Sequence, residues 1–237
     1  LKSFILILIA SLLLVLYSIS MFWGVEHGTG SFGGALVPTL IPINTFILLA
    51  IINKKTISLK HSFALVLGAF GVLNMLNVWN FNLNEILSKD NVYFILASLL
   101  WAILTIVTAK ATKVNAFVFT FYTYIISTFV LYIFYIDNSL FGRVYDYDFI
   151  FWFNIFVITI LSTTFGTSIY FIGATKLGTK EVSSFVFLVP ASAMATGSIF
   201  LGEKITLNMI IGTIFAIIAI YILNNLNLFQ IFKKQKS

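Results

Sequence analysis

Cysteine is absent from the 237 residues. That excludes a disulfide framework and any thiolate metal or redox site. Histidine occurs only at His27 and His61, 34 positions apart, so HExxH and other short zinc spacings are missing. Charge is scarce too: Asp, Glu, Lys and Arg make up 9 % of the chain, against about 25 % in an average soluble domain. What is present instead is apolar. Hydrophobic residues account for 60 % of the sequence, and its mean hydropathy is +1.04. A soluble fold of this size cannot hide so much apolar surface from water, and intrinsic disorder is excluded for the same reason. The chain reads as membrane-embedded. Its net charge of +6 is no sign of nucleic-acid binding, because the basic residues sit in short gaps between apolar runs, where topology accounts for them.

A bilayer core about 30 Å thick requires roughly 20 apolar residues at 1.5 Å rise. Eight such runs cover 3–23, 34–53, 61–79, 92–109, 115–136, 149–173, 182–201 and 205–223. They are apolar on all sides and lack strand alternation, which points to helices rather than a barrel. The fold class expected is therefore an all-α polytopic membrane protein with eight transmembrane helices. The gaps alternate in charge. One set holds Lys2, Lys54, Lys55, Lys60, Lys110, Lys113, Lys176, Lys180, Lys233, Lys234 and Lys236, which is 11 of the 14 basic residues, with Glu181 the one acid. The other set holds Lys89, Arg143 and Lys204 with Glu26, Glu85, Asp90, Asp137, Asp146, Asp148 and Glu203. Positive charge stays inside, so both ends of the chain are expected to be cytoplasmic. Neither polar stretch, 79–91 or 137–148, is long enough to fold alone.

The chain matches itself at an offset of 148. Ser20 meets Ser168, Phe22 meets Tyr170 and Trp23 meets Phe171; further on, Gly30 meets Gly178 and Ile51 meets Ile199. Pro42 meets Pro190, a strong point in a chain with three prolines, and Ile57, Ser58 and Leu59 meet Ile205, Thr206 and Leu207. The gap around Gly30 is acidic whereas its counterpart around Gly178 is basic, so the repeat changes orientation. Inverted-topology repeats are a feature of secondary transporters. The division expected is a three-helix repeat over 1–79, an external connector over 80–91, a five-helix repeat over 92–224 and a basic cytoplasmic tail over 225–237. On that count the first repeat lacks about 56 residues, two helices, at its start, by the offset arithmetic of the repeat.

The second copy resembles the EamA half-unit of the drug/metabolite transporter superfamily. The resemblance rests on Tyr170, Gly173-Ala174, Val182-Ser183-Ser184, Pro190, Leu201-Gly202-Glu203, Ile205-Thr206 and Gly212, with Trp101-Ala102 as the start of the half. The first copy departs from the pattern, with Lys54-Lys55 where Gly-Glu is usual and Ala64 where Gly is usual. The resemblance implies ten helices in two inverted fives with a cavity between them. It also implies alternating-access transport of a small organic metabolite, with export or exchange favoured over import. No cofactor is implied, and the partners are a solute and the lipid bilayer, with no nucleic acid. The location expected is a bacterial cytoplasmic (inner) membrane.

Every Lys, Arg, Asp and Glu falls near the end of an apolar run. That weighs against a buried proton relay and against an intramembrane enzyme, which needs an acid/base pair or metal ligands. The site expected is built from neutral polar and aromatic side chains. Pro42 and Pro190 are the gating candidates, each expected to kink its helix and to free the carbonyls of Pro38 and Val186. Asn44 and Thr45 follow the first proline and Ser192 the second. Trp23, Asn74, Trp101, Thr105, Tyr122, Ser168 and Tyr170 complete the substrate-lining set. Asn77 shares a face with Asn74, and Tyr124, Ser162, Thr163 and Thr164 lie on the same helices as the lining candidates. Glu26 and His27, at the external end of the first helix, are candidates for a proton or substrate site at the mouth. The competing accounts are an interfacial belt for Trp and Tyr, close helix packing for Ser and Thr, and a solvated loop for Glu26 and His27. Glycines at 24, 28, 30, 33 and 34 read as a flexible turn or a close helix approach. A non-transporting membrane scaffold or inactive product is the alternative to a transporter, and a lipid enzyme is the more distant one.

Overall fold

The computed structural model describes residues 2–28, 30–80, 89–135, 142 and 146–225, and among these no strand occurs. Glu85, Asp137, Arg143, residues 81–88 of the connector and the lysines of the tail lie outside the described residues. The helices are α1 (Lys2–His27), α2 (Gly30–Asn53), α3 (Leu59–Met75), α4 (Val92–Ala109) and α5 (Ala116–Tyr135). A sixth stretch follows as α6 (Phe149–Val157), a π-helical segment (Ile158–Gly166) and α7 (Thr167–Lys176). Then come α8 (Thr179–Ser184), a 3-10 turn (Phe185–Leu188), α9 (Val189–Leu201) and α10 (Leu207–Leu223). Six helical stretches are long and apolar enough to cross a membrane, and α3 and α10 are shorter apolar helices of 17 residues each.

Local chemistry sets several of the starts. The Ser58 hydroxyl accepts from the His61 N–H at 3.3 Å and opens α3. Thr206 does the same for the Met209 N–H at 3.3 Å and opens α10. Asp148 accepts from the Phe151 N–H at 2.8 Å and opens α6. Each satisfies a backbone donor that helix geometry leaves orphaned.

Several expected features are corrected. The third run does not extend to 79: α3 stops at Met75, and Asn77 lies beyond it with φ 51°, so Asn74 and Asn77 do not share one helix face. The seventh run is not one kinked α-helix. Pro190 stands in the first turn of α9, after the 3-10 turn, where a missing N–H costs nothing. The Val186 carbonyl there accepts from the Val189 N–H. Pro42, with Pro38, lies inside the continuous α2, and its side chain is fully buried. The two prolines thus play unequal parts. The sixth run carries the π segment, where the Thr164 hydroxyl donates to the Thr159 carbonyl at 2.8 Å, five residues back.

Element ends recur 148 positions apart. α3 ends at Met75 and α10 at Leu223, and their caps Ser58 and Thr206 differ by the same amount. α2 ends at Asn53 and α9 at Leu201. Left-handed residues follow in step: Lys54 at φ 51° with Gly202 at 69°, and Asn77 at 51° with Asn225 at 48°. Lys54 adopts a conformation that glycine would hold without strain.

Two close packings organise the bundle. The Phe94 ring of α4 sits against Gly24, Gly28 and Gly33 at the junction of α1 and α2; a Cβ on Gly24 would lie 2.7 Å from it. The glycine run is thus a socket at these three positions, whereas Gly30 and Gly34 face open space. α3 and α10 form the most extensive helix pair among the described residues. They cross with Gly71 against Gly212, so closely that a Cβ on Gly71 would lie 2.7 Å from the Gly212 carbonyl oxygen. Asn74 donates to the Asn208 carbonyl at 3.4 Å and Asn208 to the Asn77 side chain at 3.3 Å, which makes the pair antiparallel.

Candidate functional site

α4 presents Trp101 and Thr105 four residues apart on one face, and α7 brings Tyr170 to them. The buried Thr105 hydroxyl donates to the Trp101 carbonyl at 2.8 Å. It therefore accepts from the Tyr170 hydroxyl, 3.0 Å away. The Trp101 and Tyr170 rings are 5.7 Å apart, and Tyr17 of α1 packs on the other side of Trp101 at 4.7 Å. Asn44 of α2 donates to Ser98 of the same α4 at 3.0 Å. Hydrogen bonds that lipid cannot replace tie α4 to α2 and to α7, and ring packing adds α1.

In front of that network opens a cavity of about 790 Å³ between α5 and the π segment with α7. Thr120, Tyr124, Thr128 and Tyr132 line one wall, and Thr159, Thr163, Thr164 and Ser168 the other. Phe117, Phe121, Ile125 and Phe129 supply apolar surface between them, and no Lys, Arg, Asp, Glu or His contributes to the lining. Tyr124 ties the two walls together, since its hydroxyl donates to Thr167 of α7 at 3.1 Å. Such a lining offers hydrogen bonds and ring faces without a fixed charge, the usual make-up of a small-molecule pocket. π segments recur at functional positions, and this one carries three of the hydroxyls.

The structure brings Trp101, Thr105 and Tyr170 together, and Asn44 reaches Ser98 on the same α4; Ser168 lines the cavity, which none of those three does. The other lining candidates go elsewhere. Tyr122 is 50 % exposed and lies outside the cavity, because two residues along a helix from Tyr124 is the opposite side. Ser192 is exposed and donates to the Val189 carbonyl of its own helix at 2.8 Å. Thr45 is buried and donates to the Ile41 carbonyl at 2.8 Å. Asn74 is committed to the α3–α10 seam. Trp23, Glu26 and His27 lie together in the last turns of α1, on the helix and not in a loop, away from this cavity. Thr120, Thr128, Tyr132 and Thr159 were missed, although the sequence carries a signal for three of them. Hydroxyl side chains recur at 120, 124, 128 and 132, one per helical turn on one face. Among the described residues no group of three His, Asp or Glu side chains could hold a metal ion.

An all-helical chain with six stretches of spanning length and apolarity is an integral, polytopic membrane protein. The sequence model of the EamA-like transporter family matches residues 89–225, more than half of the chain. The protein belongs to that family, and so to the membrane transporters of the drug/metabolite superfamily, whose members transport rather than catalyse. No curated protein matches the chain.

Proposed function

We propose that the protein is a secondary transporter that moves a small, net-neutral organic solute of aromatic or amphipathic character by alternating access. The single observation that supports the solute class is the hydroxyl- and ring-lined cavity between α5 and α7, which has no charged lining residue. A charged solute would lose its hydration there without a counter-charge, at a cost of several kcal/mol. Export or exchange is the direction proposed. The division into 1–79 and 92–224 is retained as two inverted halves, with both ends of the chain cytoplasmic in a bacterial inner membrane. The recurrence of caps, ends and left-handed residues 148 positions apart supports the halves, and so does the antiparallel seating of α3 on α10.

Counterflow in liposomes, with a panel of neutral, cationic and anionic solutes, tests the reading. Flux confined to ionic solutes would overturn it. For an accepted solute, Tyr124→Phe and Thr163→Val each remove one lining hydroxyl. Each is expected to cost about 0.5–1.5 kcal/mol of binding, roughly a 2- to 12-fold rise in KM. Ser192→Ala and Tyr122→Phe, outside the cavity, should leave KM unchanged.

Gating is assigned to Pro42 alone of the matched pair. It interrupts the hydrogen-bond ladder inside the continuous α2, whereas Pro190 merely starts α9. Pro42→Ala restores an N–H donor in mid-helix and stiffens α2. Slower turnover at unchanged KM and normal abundance is expected for Pro42→Ala, and near-normal turnover for Pro190→Ala. Equal turnover in the two variants would sink the hinge.

A further inference from the structure

A second cavity, of about 360 Å³, lies between the last turns of α1 and the Leu131–Tyr135 stretch of α5. Ile19, Phe22, Trp23 and Glu26 form one wall, and Leu131 and Tyr135 form the other. The two helices run parallel. Phe119 packs with Ile7 in one apolar cluster, Ser127 lies 3.0 Å from the Ser11 carbonyl, and Tyr135, the last described residue of α5, meets the last turns of α1. The C-terminus of α1 therefore borders this space. It presents the negative end of its backbone dipole, which attracts cations and disfavours carboxylates.

Glu26 thus stands where its own helix disfavours it. It has no ion-pair or hydrogen-bond partner among the described residues. Three rings share the cavity with it, those of Phe22, Trp23 and Tyr135. Trp23 is held in place by His27, stacked at 5.0 Å and 21°, and by Tyr93 at 5.8 Å. No basic residue contributes to the lining. Among the described residues, the gaps of this acidic character hold Glu26, Asp90, Asp146, Asp148 and Glu203 against Lys89 and Lys204, a balance that favours cations.

We propose that this cavity binds an alkylammonium group, with Glu26 as counter-charge and the three rings as its cation–π walls. Ile19 and Leu131 continue the walls as apolar surface suited to the attached hydrocarbon. The same ammonium chemistry comes from a free organic cation or from the headgroup of a choline or ethanolamine lipid.

The test is a binding measurement that needs no transport. The full chain, in nanodiscs of a neutral glycolipid without amine, is titrated with labelled choline and with its uncharged isostere 3,3-dimethylbutan-1-ol. Saturable choline binding is expected, with the isostere at least tenfold weaker. Glu26→Gln and Trp23→Leu are each expected to weaken choline at least tenfold with an unchanged unfolding midpoint, and Asp90→Asn to leave it intact. Absence of choline binding, equal binding of the isostere, or wild-type affinity in a folded Glu26→Gln protein would each overturn the site. Repetition in phosphatidylcholine nanodiscs identifies the source. Loss of free choline binding there assigns the cavity to the lipid headgroup, and unchanged binding assigns it to a free cation.

Discussion

Phe94→Ala is expected to destabilise the protein by about 3 kcal/mol, the low end of the cost of truncating a buried phenylalanine. The ring is fully buried and fills a notch cut by Gly24, Gly28 and Gly33. The low end applies because lipid is itself apolar, so the transfer part of the cost shrinks while the lost packing remains. The converse changes should be as harmful. A side chain at Gly33 would overlap the ring, and one at Gly24 would stand 2.7 Å from it, so Gly33→Val must push α4 off α1 and α2. Overpacking of this kind costs about 1–3 kcal/mol. A double variant, Gly33→Ala with Phe94→Leu, should recover part of the loss, because the smaller ring site makes room for the added methyl. Unfolding in detergent, followed by tryptophan fluorescence for the four proteins, checks the coupling. Additive losses would show that the socket is not where the energy lies. Solute affinity should fall as well, since α4 also carries Trp101, Thr105 and Ser98 to their partners.

The same socket shows what the sequence discloses and what it withholds. The glycines of 24–34 are conspicuous, but whether they make a turn or a close approach depends on what faces them, and Phe94 is 60 or more positions away in the chain. Helical character and the positions of most ends follow from apolar run length and from capping residues such as Ser58 and Thr206, which act locally. The offset of 148 is legible for the same reason, because equivalent caps and ends need equivalent local residues. The π segment left no local mark. Within Ile158–Gly166 one glycine and four hydroxyls are ordinary membrane-helix content, so the widening must come from how the stretch packs. Pro190 misled in the opposite way. Its local signal is identical to that of Pro42, but a proline that starts a helix and one that interrupts it differ only in the turn before it.

For the proposed site, residue type is easier to read from the sequence than place. Charge poverty points to neutral polar and aromatic side chains, the make-up of the cavity proposed for the solute; Trp101, Thr105 and Tyr170 meet one another, and Ser168 alone of the four lines that cavity. Tyr122 went wrong through helical phase: its neighbour Tyr124 is the one that faces the cavity. The ladder at 120, 124, 128 and 132 would have fixed that phase, because hydroxyls repeated every four residues in an apolar helix face something polar. Asn74 was misplaced because polar glue between helices and polar lining of a cavity use the same side chain.

Gly71→Leu or Gly212→Leu is expected to be the most damaging single change, about 3 kcal/mol or more and at the top of the range for overpacking. The reason lies in what the new atom would meet. At Gly71 a Cβ would stand 2.7 Å from the Gly212 carbonyl oxygen and 3.0 Å from the Ala216 backbone nitrogen. Neither is the flexible end of a side chain, so no rotamer change relieves the clash and the helices themselves must separate. Small residues permit such approaches, and packing rather than burial from water holds helices together in lipid. Buried Ala64, Ala216 and Ala219 continue the seam. Separation would also break the Asn74–Asn208 and Asn208–Asn77 bonds, worth on average about 0.6 kcal/mol each in a membrane. Gly71→Ala should show an intermediate loss, which separates steric contact from a nonspecific effect of substitution. Unfolding midpoints in detergent provide the first readout. Solute binding provides the second, and it bears on the mechanism. α3 and α10 close the two proposed halves, on the side away from the hydroxyl-lined cavity. If they form the fixed seam about which the halves rock, Gly71→Ala should lower the unfolding midpoint and leave KM unchanged. A KM shift equal to that of Tyr124→Phe, in a protein of normal abundance, would place the seam in the solute path and overturn its role as the fixed element.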